Sequence, residues 1–217
     1  MRSGICLTNV MGMPPAARPT PLPRKFYQRD PRIVGPDLLN KILAMPDGRS
    51  GRIVEVEAYC GAEDPAAHSF RGRTARNASM FGEQGHLYVY FTYGMHYCAN
   101  AVCWERTPGS GVLLRALQPL GGIERMREGR HGIARDSLLC SGPARLTEAM
   151  GIDRELDGAD LVLGSGGPLI LDDGTLPPAL PTASTRIGIS RGIDHPWRWH
   201  VDGNVHVSKR PSRARAK

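Results

Sequence analysis

Aromatic side chains are scarce in this sequence, 6% of its 217 residues, and several widespread catalytic frameworks are missing from it. No apolar run approaches the roughly 20 residues that a bilayer-crossing helix needs, so no membrane association is expected. The opening Met1-Arg2-Ser3-Gly4-Ile5-Cys6-Leu7 has no long apolar stretch of the secretory kind, which makes the cytoplasm, or the nucleoid of a bacterium, the expected compartment. Five cysteines, at positions 6, 60, 98, 103 and 140, include no Cys-x-x-Cys pair. A zinc ribbon and a thioredoxin-type centre are therefore unsupported, and reduced, buried thiols are expected. There is no His-Glu-x-x-His, no Gly-x-x-x-x-Gly-Lys and no Gly-x-Gly-x-x-Gly, which sets aside zincins, P-loop nucleotide hydrolases and classical dinucleotide enzymes.

Acidic residues are absent from both ends of the chain. Residues 1–25 hold Arg2, Arg18, Arg24 and Lys25, and residues 209–217 hold Lys209, Arg210, Arg213, Arg215 and Lys217. These nine cations exceed the net charge of +7, so the body between them is about −2. The basic balance belongs to the ends, and two readings stay open: flexible arms for a polyanion, or plain solvated termini. Pro14, Pro15, Pro19, Pro21 and Pro23 mark residues 1–23 as an extended, disordered leader, with Met11 and Met13 as alternative starts. A single domain is expected over 24–208, followed by the basic tail 209–217.

The few aromatic rings are concentrated. Three of the six tyrosines fall in Leu87-Tyr88-Val89-Tyr90-Phe91-Thr92-Tyr93-Gly94-Met95, and Tyr97 follows. Upstream lie Glu55-Val56-Glu57-Ala58-Tyr59 and His68. Rings gathered beside acids in so aromatic-poor a chain point to a flat, π-faced ligand. Strand alternation from Arg52 to Tyr59 places Ile53, Glu55, Glu57 and Tyr59 on one face and Val54, Val56 and Ala58 on the other. That face is either a catalytic cleft or an edge strand with two solvated glutamates.

The remaining elements follow from periodicity and punctuation. A short helix is expected at 36–43, with proline in its first turn, and two strands over 86–103 about a turn at Tyr93-Gly94-Met95. The segment 71–81, with Arg71, Arg73 and Arg76, reads as a polar loop that either holds phosphates or is solvated. Residues 111–117 form a strand whose lone Arg115 is an edge residue or the partner of a buried acid. Helices are expected at 121–130 and at 143–150, the latter capped by Ser141. Further strands are expected at 185–190 and 200–208, with turns at Asp172-Asp173-Gly174 and Asp202-Gly203-Asn204.

Six ordered blocks carry a resemblance: Gly-Arg-Ile-Val-Glu-Val-Glu-Ala-Tyr (51–59), Ala-Ala-His-Ser (66–69), Arg-Asn-Ala-Ser-Met-Phe (76–81), Leu-Tyr-Val-Tyr-Phe-Thr-Tyr-Gly-Met (87–95), Val-Leu-Leu-Arg-Ala (112–116) and Leu-Cys-Ser-Gly-Pro (139–143). Together they resemble the alkyladenine, or 3-methyladenine, DNA glycosylase family over about 26–208. The resemblance implies an α/β fold of the α+β type, a compact single domain with a curved, mainly antiparallel sheet flanked by helices. It implies base-excision repair of alkylated or deaminated purines in double-stranded DNA by a monomeric enzyme. It casts Glu57 as the group that activates water and Arg115 as part of the phosphate and water site. Tyr59, His68 and Tyr90 would stack on the extruded base, Asn100 would line the base pocket, and Tyr93 would enter the minor groove. The leader and tail lie outside it.

The chemistry is consistent with those roles. Cleavage of an N-glycosidic bond passes through an oxocarbenium-like sugar, so one carboxylate can both stabilise positive charge and take a proton from water. An alkylated or protonated purine is already an activated leaving group, so neither metal nor cofactor is expected. A non-catalytic damaged-base or single-strand DNA-binding protein would share the aromatic cleft without needing Glu57. An enzyme of free nucleosides would not need the Tyr93 wedge. Lys41 is the only lysine between Lys25 and Lys209, so no lysine nucleophile, and no lyase step, is expected. If the tail contacts phosphates, deleting 209–217 should reduce the log K against log[salt] slope by about 1 to 3, equally for every lesion. An unchanged slope would leave DNA held by the body alone, through groups such as Arg71, Arg73, Arg76 and Arg115.

Overall fold

The computed structural model describes residues 18–92 and 94–208. Tyr93 and the tail 209–217, both given roles above, lie outside the described residues, as does most of the leader. Among the described residues there are nine strands and four α-helices: β1 Thr20–Pro21, α1 Arg24–Tyr27, α2 Pro31–Leu38, β2 Ile42–Ala44, β3 Ser50–Cys60, β4 Leu87–Thr92, β5 His96–Val102, β6 Ser110–Gly121, α3 Ile123–Gly129, α4 Pro143–Met150, β7 Leu169–Asp172, β8 Thr182–Ser184 and β9 Arg198–His200. All the strands join one antiparallel sheet in the order β1-β7-β2-β3-β6-β5-β4, with β9 pairing both β3 and β8.

The centre of the sheet is the long pair β3 and β6. Both are rich in β-branched or aliphatic residues, and residues 53–58 and 110–117 are buried throughout, as suits strands covered on both faces. Strict alternation fails within β3. Ile53 joins Val56 in the main core instead of sharing the face of Glu55, because register shifts flank Glu55. A bulge of this kind inserts one extra residue and flips the sidedness beyond it. It sits where β3 changes neighbours, from β2 at Ser50–Arg52 to β9 at Glu55–Glu57.

One apolar core gathers Val34 and Leu38 of α2, Met126 of α3, Leu146 of α4, and Leu87 and Leu114 of the sheet. The first long helix starts earlier than the sequence pattern placed it. Asp30 accepts from the Arg32 amide at 2.8 Å and Pro31 fills the first turn, so cap and proline together set the start. Residues 42–44 pair with β3 and β7 instead of continuing a helix, and Lys41, placed on that helix by sequence, lies between the two elements and pairs with Asp172 at 2.8 Å. The helix at Pro143–Met150 stands where expected, but Gly142 is its cap; the Ser141 hydroxyl accepts from Arg145 at 3.1 Å. Strand structure falls at Thr182–Ser184, just before the stretch predicted at 185–190, and at Arg198–His200, which meets the stretch predicted at 200–208 only at His200. The sheet also starts within the proline-rich leader, at Thr20–Pro21 against Asp172–Leu171, because Leu22 is buried in the core. Cys60, Cys98, Cys103 and Cys140 are all free and buried.

Three strands and the last described segment meet at Glu55, which has no solvent exposure. Its carboxylate accepts from Arg115 of β6 at 2.9 Å, Arg198 of β9 at 2.7 Å, and the Ser208 amide and hydroxyl at 2.7 and 2.8 Å. Burial raises its pKa, but the two guanidiniums and Ser208 outweigh that and hold it below the usual carboxylate value. This contribution to stability is therefore present above the unfolded carboxylate range and is lost as pH falls through the depressed folded value. Glu55→Gln should destabilise the protein by about 3 to 5 kcal/mol, since it leaves buried guanidiniums short of charge. Urea denaturation checks this; a loss under about 1 kcal/mol, the range of exposed ion pairs, would demote Glu55 to a replaceable contact.

Candidate active site

The glutamates that strand alternation left between cleft and solvent are both fully buried. Glu57 sits two residues beyond Glu55 on β3. Its Oε1 accepts from the Ile187 amide at 2.8 Å and pairs with Arg115 Nη1 at 3.1 Å, while Oε2 accepts from the Tyr59 hydroxyl at 2.9 Å. Arg115 is thus the partner of buried acids: burial pulls its pKa down, but Glu57 and Glu55 hold it above the usual guanidinium value. Tyr59, Arg115 and Ile187 all line a cavity of about 430 Å³. Glu57 lies one layer behind them.

Aromatic groups form the opposite wall. Tyr88 and Tyr90 alternate along β4 onto one face and stack at 5.5 Å and 28°, and His68 meets Tyr90 edge-on at 4.3 Å. His68 Nδ1 lies 3.1 Å from the Tyr88 hydroxyl, and its pKa is held below the usual imidazole value, first by the desolvating walls and then by Arg76. Asn100 is buried on β5, donating to the Tyr88 carbonyl at 3.2 Å, and its neighbours in the lining are Cys98 and Leu113. Tyr90 faces Cys98 across the β4–β5 pair. Burial raises the pKa of Tyr59 well above its usual value, and Glu57 adds to it, while burial pushes Tyr88 up to about 12. All these walls are neutral near pH 7.

The structure therefore brings together Glu57, Arg115, Tyr59, His68, Tyr90 and Asn100. Arg71, Arg73 and Arg76 are exposed outside the cavity lining; they precede or open a turn at Ala75–Phe81 that is capped by Thr74, and Arg76 donates to the Phe91 carbonyl at 2.9 Å. Gly94, at φ 68°, reverses the hairpin, and Met95 is 70% exposed at its tip. Sequence reasoning missed Tyr88, although its period-two relation to Tyr90 is visible. It also missed the stretch Ile187–Arg191, a loop that completes the lining and that no local pattern announces. Among the described residues no group of three His, Cys, Asp or Glu side chains is placed to hold a metal, and no helix is long and apolar enough to cross a membrane.

A family model for methylpurine-DNA glycosylases matches residues 25–205. A protein of Burkholderia lata, named provisionally as a 3-methyladenine DNA glycosylase, is 61% identical over 187 residues, covering 86% of this chain and 90% of its own. A Burkholderia cenocepacia protein of the same name is 60% identical over 189 residues, covering 87% and 91%. One from Koribacter versatilis is 48% identical over 198 residues, covering 88% and 95%.

The depressed pKa of His68 bears on stability. Between its folded value and the ordinary value near 6.5, the unfolded chain binds a proton that the folded chain refuses, so stability should fall as pH is lowered through that window. His68→Asn should flatten the dependence of urea midpoint on pH there; an unaltered slope would place the titrating group elsewhere.

Proposed function

We propose, from the premise that the chain belongs to the methylpurine-DNA glycosylase family, that it is a monofunctional DNA glycosylase which takes a damaged purine into the aromatic cavity and hydrolyses its N-glycosidic bond. The observation that carries this reading is the surroundings of Glu57. A carboxylate offers about four acceptor positions; the Ile187 amide and the Tyr59 hydroxyl take two, and Arg115 pairs with Oε1. In this reading the acceptor capacity left on Oε2 meets a water between Glu57 and the cavity.

In this reading Glu57 takes a proton from that water as it attacks C1′, and the fixed negative charge stabilises the oxocarbenium-like sugar. Arg115 fixes the carboxylate and orients the water. An extruded base is sandwiched between Tyr59 and the His68–Tyr90 wall, with Asn100 reading its edge. A cationic alkylpurine gains about 0.5 to 2 kcal/mol from the ring faces. Extrusion costs a few kcal/mol of stacking and pairing, a cost that Tyr93 would offset by filling the vacated space. Lys41 is tied to Asp172 and is absent from the cavity lining, which supports hydrolysis without a Schiff-base step. Arg71, Arg73 and Arg76, exposed outside the cavity lining, would meet phosphates.

Glu57→Gln should abolish base release from duplex oligonucleotides while lesion-DNA affinity stays within a few-fold of wild type, because the amide keeps the shape and loses the base function. Alkaline cleavage of abasic sites under single-turnover conditions reads this. Retention of more than about a tenth of the rate would move the catalytic role to another group.

A further inference from the structure

Behind Tyr59 lies a stack of charged and aromatic groups that hydrolysis itself does not use. Arg186 is 5% exposed, and its guanidinium carbon lies 4.7 Å from the Tyr59 ring centroid and 5.1 Å from that of Trp197. His195 stacks on Trp197 at 4.0 Å and 5°. Tyr59 lines the cavity and Arg186 does not, so the guanidinium stacks on the Tyr59 ring from outside the lining. Its counter-ion is Asp64, fully buried, which accepts from Nη1 and, at 2.8 Å, from Nη2. Nη1 also donates to the Ala58 carbonyl at 2.9 Å and Nη2 to that of Gly192 at 3.3 Å. Gly192 has φ 55°, and a Cβ there would lie 3.1 Å from Nη2, so the loop closes tightly over the pair.

We propose that Arg186, with Asp64 as its counter-ion, sets the preference of the cavity between cationic and neutral purines by acting through the Tyr59 ring; this rests on the glycosylase reading above. A ring attracts a cation through the negative potential of its faces. A guanidinium stacked on the ring draws on that potential and leaves less for a second cation. A neutral purine has no such attraction to lose and stacks better on the depleted ring. Asp64 moderates the bias without removing it, since it bonds to the guanidinium edge and does not intervene between cation and ring. Arg186 touches no substrate; it is a positioning residue for Tyr59 and a tuning charge behind it.

The test compares release of 7-methylguanine, a cation, with release of hypoxanthine, a neutral base, from otherwise identical duplexes by the full-length protein. Single-turnover efficiency is measured for wild type, Asp64→Asn and the double variant Asp64→Asn/Arg186→Gln. The double variant removes both charges and keeps amides able to bond the Ala58 and Gly192 carbonyls. It should raise the 7-methylguanine to hypoxanthine ratio by about three- to tenfold. Asp64→Asn alone strips the guanidinium of its counter-ion and should move the ratio the other way, which decides the matter even if the double variant does not fold. A loosened wall would slow both reactions in proportion, so a ratio unchanged from wild type overturns the proposal. A wild type that releases neither base would instead sink the glycosylase reading, and this proposal with it.

Discussion

One guanidinium held between two buried carboxylates fixes the floor of the cavity. Arg115 reaches Glu55 with Nε at 2.9 Å and Glu57 with Nη1 at 3.1 Å, and both acids have no exposure. Two like charges this close on one strand could not share the interior unaided, because desolvation of each costs several kcal/mol and their repulsion adds to it. Arg115 answers both, and Arg198 answers Glu55 a second time. The two acids and two arginines cancel in formal charge, and the arginines come from two different strands. Satisfying them ties β3, β6, β9 and Ser208 into one arrangement. Glu57 is thereby held inside a core that would expel a lone carboxylate.

The division of labour between the two acids follows from their neighbours. Glu55 accepts four hydrogen bonds from protein groups, which fills its capacity and makes it structural. Glu57 accepts two, from Ile187 and Tyr59, pairs with Arg115, and its three partners line the cavity. Glu55 is filled by protein donors, while Glu57 keeps acceptor capacity beside groups that line the cavity. The aromatic wall opposite owes its flatness to β4, where alternation brings Tyr88 and Tyr90 onto one face.

Much of this was legible in the sequence where the signal was local. The long strands, the hairpin around Gly94 and the helix at Pro143–Met150 follow from periodicity and from glycine and proline. The acids, the rings and Arg115 were identified by their place in ordered blocks. What stayed hidden depends on contacts distant in sequence. The bulge beside Glu55 exists because β3 changes partners from β2 to β9, and nothing within Arg-Ile-Val-Glu-Val-Glu announces that switch. Ile187, Arg191 and Ser208 reach the site from loops 130 and more residues after Glu57, as the bond from Ile187 illustrates. Residues 36–43 misled because Pro36 imitates a helix start, while the Asp30 cap lay well upstream.

The buried thiols matter in a different way. Burial pushes Cys60 and Cys140 up to about 12, raises Cys103 strongly, and raises Cys98 despite the hydrogen bond from Tyr90. The thiolate is the form that attacks electrophiles, so these sulfurs are chemically quiet at neutral pH. Methylating agents damage nucleophilic protein side chains as well as DNA. A protein whose described cysteines are all protonated and shielded can work amid such reagents without its own cavity wall, where Cys98 stands, becoming one of the things they alkylate.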